Sequence, residues 1–125
     1  KEIDTLQKLI DTFFNEKKGY RRPELSLSLL ANEIDTTTNK LSWVLNNDYH
    51  KTIYELVNGY RVADFLEKIK ENKHKEFTVN SLAFEVGFNS KSTFYKAFKE
   101  FKGANPTAYI KQMERPENTK AVRFE

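Results

Sequence analysis

The chain has 125 residues, 38% hydrophobic and 14% aromatic, enough for one compact unit or for two very small subdomains that share a helix. Without cysteine it can build no disulfide or thiolate metal site, no apolar run approaches the roughly 18–20 residues of a membrane span, and no signal peptide is visible. A net charge of +3 is mild for a nucleic-acid binder, so the placement of the lysines has to decide whether such a partner fits.

Glycine and proline are sparse and no run of alternating β-branched residues occurs, which favours an all-α fold of about seven helices. Residues 1–24 form a leading unit. Ile3, Leu6, Leu9, Ile10, Phe13 and Phe14 recur at helical spacing and predict an amphipathic helix that packs on the rest. The sequence starts at Lys1, not Met, inside this helix, as a piece of a longer protein would. Residues 15–24 (NEKKGYRRPE) read as a basic loop. Such a charge run is usually solvated; contact with a phosphate backbone is the other reading.

Residues 25–51 predict a first helix-turn-helix. Leu27, Leu30, Ala31 and Ile34 face inward from a helix over 26–34, and Asp35 to Thr37 make the turn. Thr37 or Thr38 caps a second helix, about 38–47. It turns Leu41, Val44 and Leu45 inward and Asn39, Lys40, Ser42, Trp43, Asn46 and Asn47 outward. A long helix follows over 52–71, with Ile53, Leu56, Val57, Tyr60, Ala63, Leu66 and Ile69 on one apolar face. Val62 and Phe65 widen that face, as a helix packed between two subdomains requires. Gly59, at a cost near 1 kcal/mol relative to alanine, marks a close approach of a neighbouring helix.

Residues 77–112 predict a second helix-turn-helix with a closing helix. Thr78 caps the first helix, which buries Leu82, Ala83 and Val86. Gly87 ends it in a left-handed conformation, Phe88 tucks back into the core, and Ser90 caps the next helix. There Phe94, Ala97, Phe98 and Phe101 recur at i, i+3, i+4, i+7 and face inward. Lys91, Ser92, Tyr95, Lys96, Lys99 and Lys102 remain outward, with Glu100 to oppose the lysines. A phosphate backbone attracts such a face, and a major groove has room for the helix. Asn105 and Pro106 open the closing helix as N-cap and first residue. The tail, 113–125, reads as loosely ordered, with Val122 and Phe124 able to dock on the core.

The two halves are copies of one three-helix unit. At an offset of 52, Leu30, Ala31, Glu33 and Ile34 fall on Leu82, Ala83, Glu85 and Val86. After the turn the offset is 53, and Leu41, Val44 and Leu45 fall on Phe94, Ala97 and Phe98. The single-residue difference lies in the turn, where insertion is cheapest. Two outward helices on one side, about 34 Å apart, enter successive major grooves of a duplex.

These residues resemble the C-terminal DNA-binding domain of AraC/XylS-type transcription regulators. The resemblance rests on Leu82-Ala83, Val86 to Ser90, Phe94, Ala97 to Lys99, Gly103, Pro106 and Tyr109. More loosely, it extends over Leu30-Ala31, Leu41, Leu45, Asn58, Tyr60 and Arg61. The leading helix and basic loop look like Bacteroidetes-type variants, in which the domain ends a sensor protein, in some cases a membrane-anchored or hybrid two-component one. The resemblance implies a cytoplasmic, nucleoid-associated DNA-binding domain without a cofactor. It also implies RNA polymerase and a sensor or effector domain as partners, and no membrane contact of the domain's own. By resemblance, base contacts fall to Asn39, Ser42 and Trp43 in the first copy and to Lys91, Ser92, Tyr95 and Lys96 in the second. Lysine can donate to guanine, asparagine can pair with adenine, and an aromatic ring can touch a thymine methyl. Thr38, Lys40, Asn46, Ser90, Lys99, Lys102 and Asn105 are placed for phosphates. Three departures stand out. Asp35 sits where the second copy has Gly87; Trp43 sits where relatives often carry a polar or basic reader, with packing on the domain surface as its other reading; and Lys96 sits where relatives often carry arginine, whose planar fork it lacks.

Other chemistry finds little support. His50 and His74 stand alone in polar segments and read as surface histidines. Asp64 and Glu67, at i, i+3 beside lysines, read as surface pairing. No Gly-rich phosphate loop, acid–base pair or nucleophile is evident, so the chain does not read as an enzyme. Relatives of the fold that accompany alkyl-transfer repair need a reactive cysteine, which this chain lacks. The competing reading is a helical protein-interaction module on the same fold. Inward aromatic spacing speaks against an RNA-stacking surface.

Overall fold

The computed structural model describes residues 2–115. Among them the elements are seven α-helices with short 3-10 and π-helical turns, and no strand is present. Helix α1 (Glu2–Asp11) runs into a π-helical turn, Thr12–Glu16, and a 3-10 turn, Gly19–Arg21, follows. Helix α2 (Leu27–Glu33) and α3 (Thr38–Val44) form the first helix-turn-helix, and α3 continues into a second π-helical turn, Leu45–Tyr49. The long α4 (Ile53–Lys70) leads to α5 (Val79–Glu85), α6 (Lys91–Lys102) and the closing α7 (Pro106–Met113). The expected docking of Val122 and Phe124 lies outside the described residues.

The sequence repeat is also a repeat of helix starts. Ser26, Thr37 and Thr52 in the first half correspond to Thr78, Ser90 and Asn105 in the second. Each sits in extended backbone, and its side chain accepts a hydrogen bond from the N–H three residues on. Thr37, not Thr38, is therefore the cap of α3. At Thr52 the Glu55 side chain also reaches back to the cap N–H, closing a capping box. The turns match in the same way. The N–H of Thr36 bonds to Ala31 O at 2.9 Å, and that of Phe88 to Ala83 O at 3.1 Å. Asp35 has φ 57° and Gly87 φ 119°, so the departure at Asp35 is one of residue type while the chain still turns left-handed there. Aspartate is among the few residues that tolerate this conformation.

Each half closes its own core. The first cluster runs from Leu6 to Val57 and the second from Val62 to Ile110. Helix α4 supplies Leu56 and Val57 to one and Val62, Phe65 and Ile69 to the other. All the apolar positions paired by the repeat, Leu30 with Leu82 through Leu45 with Phe98, are buried. The inward stripes are narrower than the sequence suggests. Ile3 and Leu9 are exposed, because among the α-helices only α3 lies substantially against α1. Ala63 is exposed on the solvent side of α4. Phe101 is 41% exposed, beyond the edge of the second core. Its ring lies over Gly59, 3.5 Å from where a Cβ would stand. That is ordinary van der Waals contact, so Gly59 does mark a neighbouring helix, but the space would accept alanine.

In the basic segment 15–24, residues 15–18, Pro23 and Glu24 are exposed as expected, but Gly19 and Tyr20 are buried and Arg21 and Arg22 half-buried. Tyr20 is buried and joins a stack in which Tyr60 lies between Phe14 and Tyr20, at centroid distances of 4.9 and 5.5 Å. The Tyr20 hydroxyl donates to Asp64 at 2.7 Å. Arg21 grips the same carboxylate with both ends of its fork, at 2.7 and 3.1 Å. Arg22 pairs with Glu33 and Glu24. Asp64 is thus no surface carboxylate; its side chain is 10% exposed. Burial alone would push it up, but the hydrogen bonds from Arg21 and Tyr20 and the Arg21 charge overcome this and hold it below its usual value. Burial and the bond to Asp64 push the Tyr20 phenol up to about 12.

A carboxyl with a depressed folded value contributes stability above its unfolded value, near 3.9, and loses it as pH falls through the folded one. Thermal melts should therefore show stability falling as the medium is acidified below about pH 4, and Asp64→Asn should flatten that slope. An unchanged slope in Asp64→Asn would place the acid sensitivity elsewhere.

His74 is likewise more buried than a surface histidine. Its side chain is 11% exposed and its Nε2 lies 2.7 Å from Glu114 Oε2, tying the 3-10 turn Lys73–Lys75 to the end of α7. His50 is exposed and left-handed, at φ 55°.

Candidate nucleic-acid interface

Helix α6 owes its orientation to three aromatic contacts. Phe94 and Phe98 meet Phe65 of α4 edge to face at 4.9 and 5.7 Å, and Tyr109 of α7 closes on Phe98 at 5.4 Å. With that side fixed, Lys91, Ser92, Lys96, Lys99 and Lys102 are exposed on the other. Among the described residues none of these four lysines is in an ion pair. Ser90 donates to the Thr93 hydroxyl at 2.8 Å while accepting from the Thr93 N–H, which stiffens the entry of the helix. Tyr95 is half-buried, more enclosed than its outward register suggests. Its ring stands edge-on to Phe94, Lys91 Nζ lies 5.5 Å from the ring centroid, and its hydroxyl is 3.3 Å from Thr107 of α7. Lys91 and Tyr95 therefore present one unit, a cation held over a ring, while Lys96 projects alone.

Helix α3 occupies the corresponding place in the first half but offers a different surface. Thr38, Asn39, Lys40, Trp43 and Asn46 are exposed and Ser42 is half-buried. Trp43 is 53% exposed and shares a hollow with Ile3 and Leu6 of α1. Asn47 donates to the Trp43 carbonyl at 2.8 Å. Lys40 Nζ lies 2.9 Å from Glu2 of α1, so its charge is already paired. The chemistry of the two helices follows. On α6 there are free cations that can neutralise or donate to an anionic partner, whereas α3 carries amides, hydroxyls and one indole that recognise by hydrogen bonding and apolar contact. Asn105 stands at the start of α7, its Oδ1 engaged by the Ala108 N–H at 2.8 Å.

Most of the expected contact residues thus lie on α3 or α6; Ser90 is the half-buried cap of α6, Asn46 lies in the π-helical turn that follows α3, and Asn105 lies at the start of α7. Sequence reasoning gave Arg61 no structural role of its own. Arg61 is buried at the centre of α4, donating to Tyr20 O at 2.8 Å and Arg22 O at 3.0 Å. Burial pushes its guanidinium down to about 10, which leaves it charged at neutral pH. The signal was present, since Asn58 and Arg61 share the i, i+3, i+4, i+7 stripe with Val62 and Phe65.

Among the described residues no group of three or more His, Asp or Glu side chains is placed to hold a metal, and no helix is long and apolar enough to cross a membrane. The family model described as "Helix-turn-helix domain" matches residues 30–112. No curated protein matches the chain. A solved structure of a protein of unknown function from Listeria innocua superposes with a TM-score of 0.72 at 21% identity. The match covers 85% of this chain and 94% of that one, which shows a shared fold.

Proposed function

The chain belongs to the AraC-type helix-turn-helix family of DNA-binding transcription regulators, and from that premise we propose that it reads a bipartite, non-palindromic site in double-stranded DNA. In this reading α3 and α6 enter successive major grooves on one side of the duplex. The observation that carries it is the row of four lysines on the exposed side of α6, none in an ion pair among the described residues, opposite a side fixed by packing. Asn39, Ser42, Trp43, Lys91, Ser92, Tyr95 and Lys96 then face bases. Thr38, Lys40, Asn46, Ser90, Lys99, Lys102 and Asn105 face phosphates, Lys40 exchanging Glu2 for a phosphate oxygen. A sensor domain elsewhere in the full protein and contact with RNA polymerase belong to the same reading, as does residence with the chromosome in the cytoplasm.

The test is selection from a random duplex library at two salt concentrations. Two enriched motifs about one helical turn apart, binding more weakly as salt rises, are expected. A single motif would leave α3 as a positioning element. No enrichment and no salt slope would replace the reading with a helical protein-interaction module. On the selected site, Lys96→Ala should cost about 1–3 kcal/mol and relax preference at one base, whereas Lys102→Ala should weaken all sequences alike. Equal losses on selected and random DNA for Lys96→Ala would remove it as a base reader.

A further inference from the structure

The two buried clusters share no residue. A single helix, α4, runs through both, and a helix alone is a compliant connection between two small bodies. The segment Gly19–Arg22 also touches both. Tyr20 belongs to the first cluster, and the Phe13 ring covers Gly19. On its other side the same segment lies against the turn of the second helix-turn-helix. A Cβ at Gly87 would collide with the Tyr20 carbonyl and lie 3.0 Å from Arg21 Cα and 2.7 Å from Arg61 Nε. The Arg61 guanidinium sits 5.6 Å from the centroid of the Phe88 ring, the residue that follows in that turn.

We infer that the segment Gly19–Arg22, gripped by Arg61 and Asp64 of α4, is a clamp that fixes the angle between the two helix-turn-helix units and so sets the half-site spacing the domain accepts. The spacing consequence rests on the DNA reading proposed above; the angle does not. Arg61 ties two carbonyls of the segment to α4, and Arg21 and Tyr20 tie its side chains to the next turn of the same helix, at Asp64. Its outer surface meets Gly87. A buried cation whose donors go to backbone carbonyls is a poor source of net stability. What the arrangement supplies is one geometry, because the bidentate fork and the two carbonyl bonds cannot all be made at another angle. Arg21, Arg61 and Asp64 are positioning residues: they lie off the exposed sides of α3 and α6 and act through the orientation of those helices.

The chain has no native cysteine, so spin labels can be placed singly at exposed sites in each unit, Asn32→Cys on α2 and Lys111→Cys on α7. Pulsed dipolar spectroscopy should give one narrow distance distribution for the otherwise native chain. It should broaden in Asp64→Asn and in Arg21→Ala and narrow again in the charge-swapped pair Arg21→Asp with Asp64→Arg. Circular dichroism reports whether each variant is folded. Should either single variant unfold, Arg21→Lys, which keeps the charge and loses the fork, supplies the mild case and should give an intermediate width. An unchanged distribution in folded Asp64→Asn and Arg21→Lys would overturn the clamp.

On DNA, Asp64→Asn should bind each half-site as the native chain does. It should bind the two-motif site roughly 10-fold more weakly and lose the preference for one spacer length over spacers one base pair longer or shorter. Equal loss on half-sites and on the full site would make the pair a stabilising contact only. If the native chain selects no DNA, the proposed function fails, while the distance measurement still decides the clamp.

Discussion

Replacing Gly87 with alanine should destabilise the protein by roughly 3–5 kcal/mol in urea unfolding, whereas Gly59→Ala should stabilise it by about 1 kcal/mol. Both glycines lie beside another element, and only the distances separate them. At Gly87 the backbone is at φ 119° and a Cβ would meet the Tyr20 carbonyl, the Arg61 guanidinium and the Arg21 backbone. Conformational strain and overpacking each cost about 1–3 kcal/mol, and here both apply with backbone as the obstacle. At Gly59 the nearest atoms are the rim of the half-exposed Phe101 ring at 3.5–3.6 Å, so the methyl fits and the helix gains alanine's propensity. A domain of this size has roughly 5–15 kcal/mol in total, so Gly87→Ala should sit close to its unfolding transition at room temperature. A loss below about 1 kcal/mol would show that the turn can back away from Tyr20 and Arg61 at little cost.

Leu41→Asp and Phe98→Asp should each unfold one unit and leave the other protected. Both side chains are fully buried, one in each cluster. A carboxyl in either place finds no cation, and the site forces it either to stay charged without a partner or to become neutral, at several kcal/mol in both cases. Deleting the Phe98 ring adds about 3–5 kcal/mol of lost transfer and cavity energy. Amide hydrogen exchange reads the outcome helix by helix. In Phe98→Asp, α5 to α7 should exchange freely while α2 and α3 remain slow, and Leu41→Asp should show the reverse. Protection intact in either variant would mean that the inward faces are misassigned. Loss everywhere in both would mean that the two cores unfold as one.

The helix-turn-helix units were legible because local rules settle them. Ser90, Thr78 and Asn105 announce their helices by cap chemistry, Gly87 announces the turn, and Leu82, Phe94 and Phe98 repeat what Leu30, Leu41 and Leu45 already say. The surfaces of α3 and α6 followed by subtraction from the buried sides. What the sequence hid depends on contacts remote in the chain. Arg21 and Arg22 read as solvated because nothing nearby in sequence pairs with Arg21; its partner Asp64 is 43 residues away. Asp64 in turn looked like one of an i, i+3 pair with Glu67, since charge alone does not tell a solvent-facing helix side from one facing a loop. Phe101 continues the period of Phe94 and Phe98 perfectly well; the core ends before the helix does.

The two cores do not interleave along the chain. Every residue of the first, Leu6 to Val57, precedes every residue of the second, Val62 to Ile110. A chain emerging from the ribosome at about 5–20 residues per second therefore holds the whole of the first core before any of the second exists. Most packing is between near neighbours in sequence, which favours rapid closure of each core in turn. Arg61 emerges in between and Asp64 just after Val62, and their carbonyl and arginine partners at Tyr20, Arg21 and Arg22 already belong to the finished first unit. The second core is thus assembled against a surface already in place, and its turn at Gly87 is the last part of the contact to arrive.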